Sequence, residues 1–199
     1  DLEISLRGPA RVPPRRYFVN SGSPRLTARL DKTGPLAGFA EQGASLPRLI
    51  ERARKLATFR VPLLICGEAG GDSREFAQAV IADQGLISPT GMTLNAEGPG
   101  ASEAVAEALE AIRFLGDYPV ERVSPTLVLQ NIEHLDRTAQ IHLKQFLKAD
   151  DLANEDRYNE DRVLVLFTSD QPWAQLQAQG ELDPDLLYLA GQSVVDLPP

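Results

Sequence analysis

The sequence predicts an α/β fold in three layers, a parallel sheet between two sets of helices. Short runs rich in Val, Leu and Ile alternate with amphipathic helical patterns from Pro47 onward. Strands that are apolar on both faces need helices on both faces, which is the arrangement of a parallel sheet. The composition agrees: 199 residues, 43% hydrophobic and 24% charged, supply one sizeable core and exclude disorder as the overall state.

The first helical face carries Leu49, Ile50, Ala53, Leu56 and Ala57, and the first buried strand runs from Val61 to Cys66. Phe76, Ala77, Val80 and Ile81 mark the next helix, followed by a short strand from Met92 to Asn95. Ser102 is the expected N-cap of a helix reaching Phe114, with Ala104, Val105, Ala108, Leu109 and Ile112 as its apolar stripe. A strand over Thr126–Leu129, a helix over Arg137–Ala149 and a strand over Val163–Phe167 come next, and a short strand over Ser193–Leu197 completes a set of five. Trp173, after Pro172, reads as a packing residue at a helix start.

Residues 1–37 are set apart from the core at 38–199. Within the first 35, Arg7, Arg11, Arg15, Arg16, Arg25, Arg29 and Lys32 stand against only Asp1, Glu3 and Asp31, with Pro9, Pro13, Pro14, Pro24 and Pro35 interleaved. A Pro-broken basic stretch cannot hold a long helix. It reads as a linker, as the tail of a preceding domain, or as an extended arm that packs by charge attraction on the acidic body or on a neighbouring subunit, an attraction that salt weakens. The whole chain has a formal net charge of -8, which opposes nucleic-acid binding by this segment. Cys66 is the only cysteine and closes the apolar run Leu63-Leu64-Ile65-Cys66, so it reads as a small core residue of a reducing compartment. No apolar run is long enough to span a bilayer and Asp1-Leu2-Glu3 lacks a signal-peptide pattern, so the expected location is the cytoplasm. Without an initial Met, the chain is expected to be a fragment.

Ligands of such a sheet bind beyond the carboxyl ends of the strands. There the first strand is followed by Gly67-Glu68-Ala69-Gly70-Gly71-Asp72-Ser73-Arg74, a glycine-rich turn entering a helix. This is either a tight strand-to-helix turn or the position of a phosphate-binding loop. A working loop reads G-x-x-x-x-G-K-[ST], its second glycine admitting the phosphates and its lysine offsetting their charge. Asp72 replaces that glycine and Ser73 that lysine. Arg74 substitutes as the phosphate cation, is solvated, or pairs with an acid such as Glu68. His134 and His142, with no matching cluster of Cys or acids, read as surface or packing residues rather than a metal site. The acidic run Asp150, Asp151, Glu155, Asp156, Glu160 and Asp161 lacks EF-hand spacing and reads as a solvated loop.

The loop resembles the GESGTGKE loop of the AAA+ domain of bacterial enhancer-binding activators, which work with the sigma-54 form of RNA polymerase, and aligns with it without a gap. The resemblance covers roughly residues 38–199. It implies a three-layer P-loop, AAA+-like sandwich with a five-stranded parallel sheet, ending before most of the family's helical lid. The family's strand ending in Asp-Glu, whose acids hold magnesium and orient water, is similar to Thr126–Glu133, with Gln130 and Asn131 in place of the acids. Amides keep the shape and lose the charge. The family's polar sensor strand resembles Arg162–Ser169, with Ser169 in place of an asparagine. Asp183 and Leu189 stand where the family's G-x-F-R-E-D-L-Y-Y-R-L motif has arginines that reach a neighbouring nucleotide. Lys55-Leu56-Ala57 and Pro62-Leu63-Leu64-Ile65 look most like the branch regulating aromatic amino-acid metabolism. No GAFTGA loop lies between Asn95 and Thr126, which puts contact with sigma-54 in doubt.

The expected function is therefore that of a catalytically inactive, degenerate AAA+ core of a transcription regulator, not an enzyme and without a cofactor. The resemblance implies a homo-oligomer, with DNA bound only through a domain outside this chain and no membrane partner. The alternative is a ligand-binding module for a signalling nucleotide, cyclic di-GMP or ATP without hydrolysis, for which Arg74, Arg11, Arg15 and Arg16 are the available cations.

Overall fold

Five parallel strands form one sheet in the order β2-β3-β4-β1-β5: β1 Leu63–Cys66, β2 Gly91–Asn95, β3 Thr126–Gln130, β4 Leu164–Ser169 and β5 Val194–Asp196. The computed structural model describes residues 36, 39, 46–84, 91–116, 125–153 and 163–198. The basic arm, apart from Leu36, and the acidic residues Glu155, Asp156, Glu160 and Asp161 lie outside them. The helices are α1 Leu46–Thr58, α2 Ser73–Asp83, α3 Ala101–Gly116, α4 Arg137–Ala153, α5 Trp173–Gln179 and α6 Pro184–Gly191. A 3-10 turn, Ile132–His134, follows β3.

Side chains alternate across the sheet, and β1, β3, β4 and β5 feed two cores, while β2 feeds one. Leu63 and Ile65 of β1, Val128 of β3, and Leu164 and Leu166 of β4 pack with Ile50, Ala53 and Ala57 of α1 and Phe76, Ala77 and Val80 of α2. Leu64 and Cys66, Leu127 and Leu129, and Val165 and Phe167 pack on the opposite face. There they meet Val105, Leu109 and Ile112 of α3, Leu143 and Phe146 of α4, Leu176 of α5 and Leu186 of α6. The expected three-layer sandwich is the observed fold.

Strand limits differ from the expected ones by one or two residues. Val61 and Pro62 precede β1, while β4 continues through Thr168 and Ser169. Proline has no N–H to donate to a ladder, which accounts for the late start of β1. The helix expected to end at Ala149 continues to Ala153. Trp173 opens α5 as expected and packs against Gly191, where a Cβ would lie 2.6 Å from the indole ring.

Ser102 does not cap its own helix. The helix already begins at Ala101, with Gly100 accepting the Ala104 N–H through its carbonyl, and the Ser102 hydroxyl instead donates to Asp136. Asp136 is the side chain that caps α4, accepting the Ala139 N–H at 2.8 Å. The outer helix pair is joined by a two-bond contact, Arg54 of α1 to Asp83 of α2, with both distances 2.8 Å. The Asp83 carboxylate holds the Arg54 guanidinium above its usual pKa.

Two consequences are measurable. Phe76 is fully buried and meets Phe39 edge to face at 5.3 Å between centroids. Phe76→Ala is expected to cost about 3–5 kcal/mol, read as a lower guanidinium midpoint with unchanged slope, whereas substitution of half-exposed Phe59 stays within about 0.5 kcal/mol. The second concerns acid. Asp136 is held below the usual carboxylate range first by the Ala139 N–H and then by Ser102, and Asp183 first by Lys144 and then by the N–H groups of α6. A carboxylate depressed on folding stabilises above its unfolded pKa of 3.8 and loses that contribution as pH falls through the folded value. The unfolding midpoint is therefore expected to drop below about pH 4, and less steeply in Asp136→Asn.

Candidate functional site

The crevice beyond the strand ends lies where the chain reverses its direction of winding, since α2 leaves β1 on one face while α5 and α6 follow β4 on the other. The Gly67 N–H donates to the Ser169 carbonyl at 3.2 Å, and the Leu197 N–H donates to the Cys66 carbonyl at 2.8 Å. The glycine-rich turn is thereby held level with the ends of β4 and β5. Gly70 has φ +78°, and a Cβ on Gly71 would lie 2.8 Å from the Glu68 carbonyl oxygen, which already accepts the Gly71 N–H. Both positions require glycine. Asp72 precedes α2 and its side chain makes no capping bond. Burial pushes the Cys66 thiol up to about 12, with the charges of Asp196 and Glu133 adding to the effect, so Cys66 is a neutral core residue.

Two clefts flank the turn, and Glu68 and Ala69 line both. One, of about 420 Å³, lies between the turn and Phe39, Leu46 and Leu197, with Asp72 on its wall. The other, of about 480 Å³, is lined by Glu97, Asn131, Glu133, Asp170 and Gln171. Among the described residues, no Lys or Arg lines either cleft.

Behind the second cleft, polar side chains from four strand ends are knitted together. Asp170, just after β4, accepts from the Ser73 hydroxyl at 3.2 Å and from Arg74 Nη2 at 3.3 Å, while its own N–H donates to Glu133 Oε1 at 3.0 Å. Arg74 Nη2 also donates to Asn131 Oδ1 at 3.1 Å. Asn131 Nδ2 in turn donates to Asn95 Oδ1 at 3.0 Å and to Glu97 Oε2 at 3.4 Å. Asn131 has φ 58° and ψ 53°, a left-handed conformation that asparagine tolerates better than most residues. The acid partner of Arg74 is thus Asp170, not Glu68. Its guanidinium is engaged with groups of the chain itself.

The turn residues Gly67, Gly70, Gly71, Asp72, Ser73 and Arg74 are brought together with Asn131 and Ser169. Gln130 closes β3, where its carbonyl accepts the Ala96 N–H at 2.9 Å. Ser169 is fully buried, and its hydroxyl accepts the Gln171 N–H at 3.1 Å. Asp183 sits at the N-cap of α6 and Leu189 within that helix. Asp183 caps that helix through the N–H groups of Asp185 and Leu186 and accepts from Lys144 at 2.8 Å, while Leu189 packs on the core. Asp170, Asn95, Glu97 and Glu133 were not singled out as site residues by sequence. Their place immediately after strands was the available signal.

The network makes Asn131 structurally demanding. Asn131→Ala is expected to cost about 1–3 kcal/mol, from left-handed strain plus the lost hydrogen bonds to partly buried Arg74 and exposed Asn95 and Glu97, measured by denaturant unfolding. Asn131→Gly removes the strain but not the lost bonds, and is expected to recover part of the difference.

Comparison with known proteins agrees with this architecture. A relative from Pseudomonas aeruginosa, the alginate biosynthesis transcriptional regulatory protein AlgB, is 26% identical over 190 residues, covering 88% of this chain and 42% of that protein. The chain thus spans about two fifths of that relative's length. Among solved structures, NtrX from Brucella abortus in complex with ADP superposes with a TM-score of 0.57 at 17% identity, over 87% of this chain and 38% of that one. The P-loop NTPase domain of the sigma-54 transport activator from E. coli superposes with a TM-score of 0.51 at 19% identity, over 78% of this chain and 98% of that one. At these identities the two structures establish a shared fold. The family model for the sigma-54 interaction domain matches residues 42–199, most of the sequence, and the chain belongs to that family.

Proposed function

We propose that this chain is a degenerate, non-catalytic AAA+ core of a bacterial transcription regulator, which self-associates and couples a sensory input to a DNA-binding domain elsewhere in the protein. The observation that carries this reading is the fate of the loop's cationic end. Ser73 stands where a phosphate-binding lysine is needed, and both Ser73 and Arg74 are bonded to Asp170 within the chain.

The residues present do not fit a magnesium nucleotide. A triphosphate in this crevice would face Glu68 and Asp72 with no lining Lys or Arg to offset the charge. Magnesium held by the strand ends would meet the neutral amides of Gln130 and Asn131, and Asn131 is already committed to Arg74, Asn95 and Glu97. In phosphoryl transfer a stabilising cation alone is worth several orders of magnitude in rate. Asp183 and Leu189, at the positions of the family's arginines, carry helix capping and packing instead. Apolar positions of the fold are kept while charge-bearing ones are changed, which supports a scaffold over an enzyme. Lys55-Leu56-Ala57 and Pro62–Ile65 favour the aromatic-regulator branch within the family.

Steady-state phosphate release with ATP and magnesium tests the reading. No turnover above buffer is expected, and isothermal titration with the same nucleotide is expected to give no heat of binding. Magnesium-dependent turnover that rises with protein concentration would overturn it. Light scattering across concentrations is expected to show association, and a monomer throughout would count against scaffolding by this segment.

A further inference from the structure

We infer that the cleft between Glu97, Glu133 and Asp170 is a binding site for a small organic cation carrying N–H donors, a primary ammonium or a guanidinium. This rests on the reading that no nucleotide phosphate occupies the crevice.

The argument begins with two buried acceptors. Glu133 is 6% exposed, and its Oε1 accepts the Asp170 N–H while Oε2 has no hydrogen-bond partner. Gln171, on the same cleft, has a buried Oε1 that is likewise unpartnered. Buried polar atoms are almost always satisfied, and leaving a charged one unmade is costly. Both atoms accept and cannot donate, so the group that completes them is a donor. The surrounding charge selects a cation: Glu68, Glu97, Glu133 and Asp170 line the cleft, against the imidazole of His134 on its wall and the guanidinium of Arg74 on Asp170. A cleft lined by one sign of charge concentrates counter-ions of the other sign.

Chemistry and size narrow the class further. Among the described residues no group of three or more His, Cys, Asp or Glu is placed to hold a metal ion, so the carboxylates are spread around a space rather than gathered on a point. At about 480 Å³ the cleft is within the range of small-molecule sites. An alkylammonium or guanidinium, with donors pointing in several directions, matches dispersed acceptors as a compact ion does not.

The test is thermal unfolding of the chain with putrescine or agmatine, each against potassium chloride of equal ionic strength. A rise in Tm of about 5 °C near saturation is expected, falling as salt is added. Tetramethylammonium, which has the charge without N–H donors, is expected to give no rise. Glu133→Gln keeps the shape and the Asp170 contact but lowers the charge, and is expected to abolish the shift, with Glu97→Gln as a second variant should the first fail to fold. Glu51→Gln, on α1, is expected to respond as the parent. No shift with either amine, an equal shift with tetramethylammonium, or an undiminished shift in the folded Glu133 and Glu97 variants would each overturn the inference. ATP turnover would overturn the non-catalytic reading separately, since phosphate release is read without any amine present.

Discussion

Strand β1 has no face and no edge that meets water, and the rest of the molecule is arranged around that constraint. Leu63, Leu64, Ile65 and Cys66 are all fully buried, and the strand pairs with β4 on one side and β5 on the other. Covering it requires helices on both faces, which sends α2 and the α5–α6 pair to opposite layers. Every polar group that follows a central strand must then emerge at one end of the sheet. The crevice takes Gly67, Asp170 and Leu197 at the ends of β1, β4 and β5, and its position follows from burial before any functional residue is considered.

What fills that outlet is a carboxylate hub. Asp170 receives the hydroxyl of Ser73 and the guanidinium of Arg74, and its backbone binds Glu133, so three chain segments meet at one residue. The Arg74–Asp170 pair is about one third exposed on each side, so screening leaves it little net energy by itself. Its effect lies in geometry, because it holds the start of α2 against the ends of β3 and β4. In a fold whose relatives include a P-loop NTPase domain, this cross-link is made of the chain's own side chains. The electrostatic sense of the crevice is that of an acidic pocket.

Particular residues show how much of this was legible in sequence. The runs at 63–66 and 126–129 read as strands because both of their faces are apolar, and the sheet places them so. The loop at Gly67–Arg74 was legible because Gly70 and Gly71 are needed by the backbone itself, a local requirement. Ser102 was misread because a serine before an apolar stripe looks like a cap, whereas its partner, Asp136, lies 34 residues away. The partner of Arg74 is hidden from the sequence for the same reason. Glu68 is close in sequence, and Asp170 is close only after β4 has been laid beside β1.

The layer architecture, the place of most elements to within a few residues and the family resemblance were legible in the chain, because these depend on periodicity and on residue type at fixed local spacing. Which acids share the crevice, which of them Arg74 neutralises and which acceptors are left without a donor follow from the folded arrangement alone. Those facts depend on strands brought together in the order β2-β3-β4-β1-β5, where neighbours in space are far apart along the chain. Hydrogen bonds of a few ångströms across that register leave no periodic trace in the sequence.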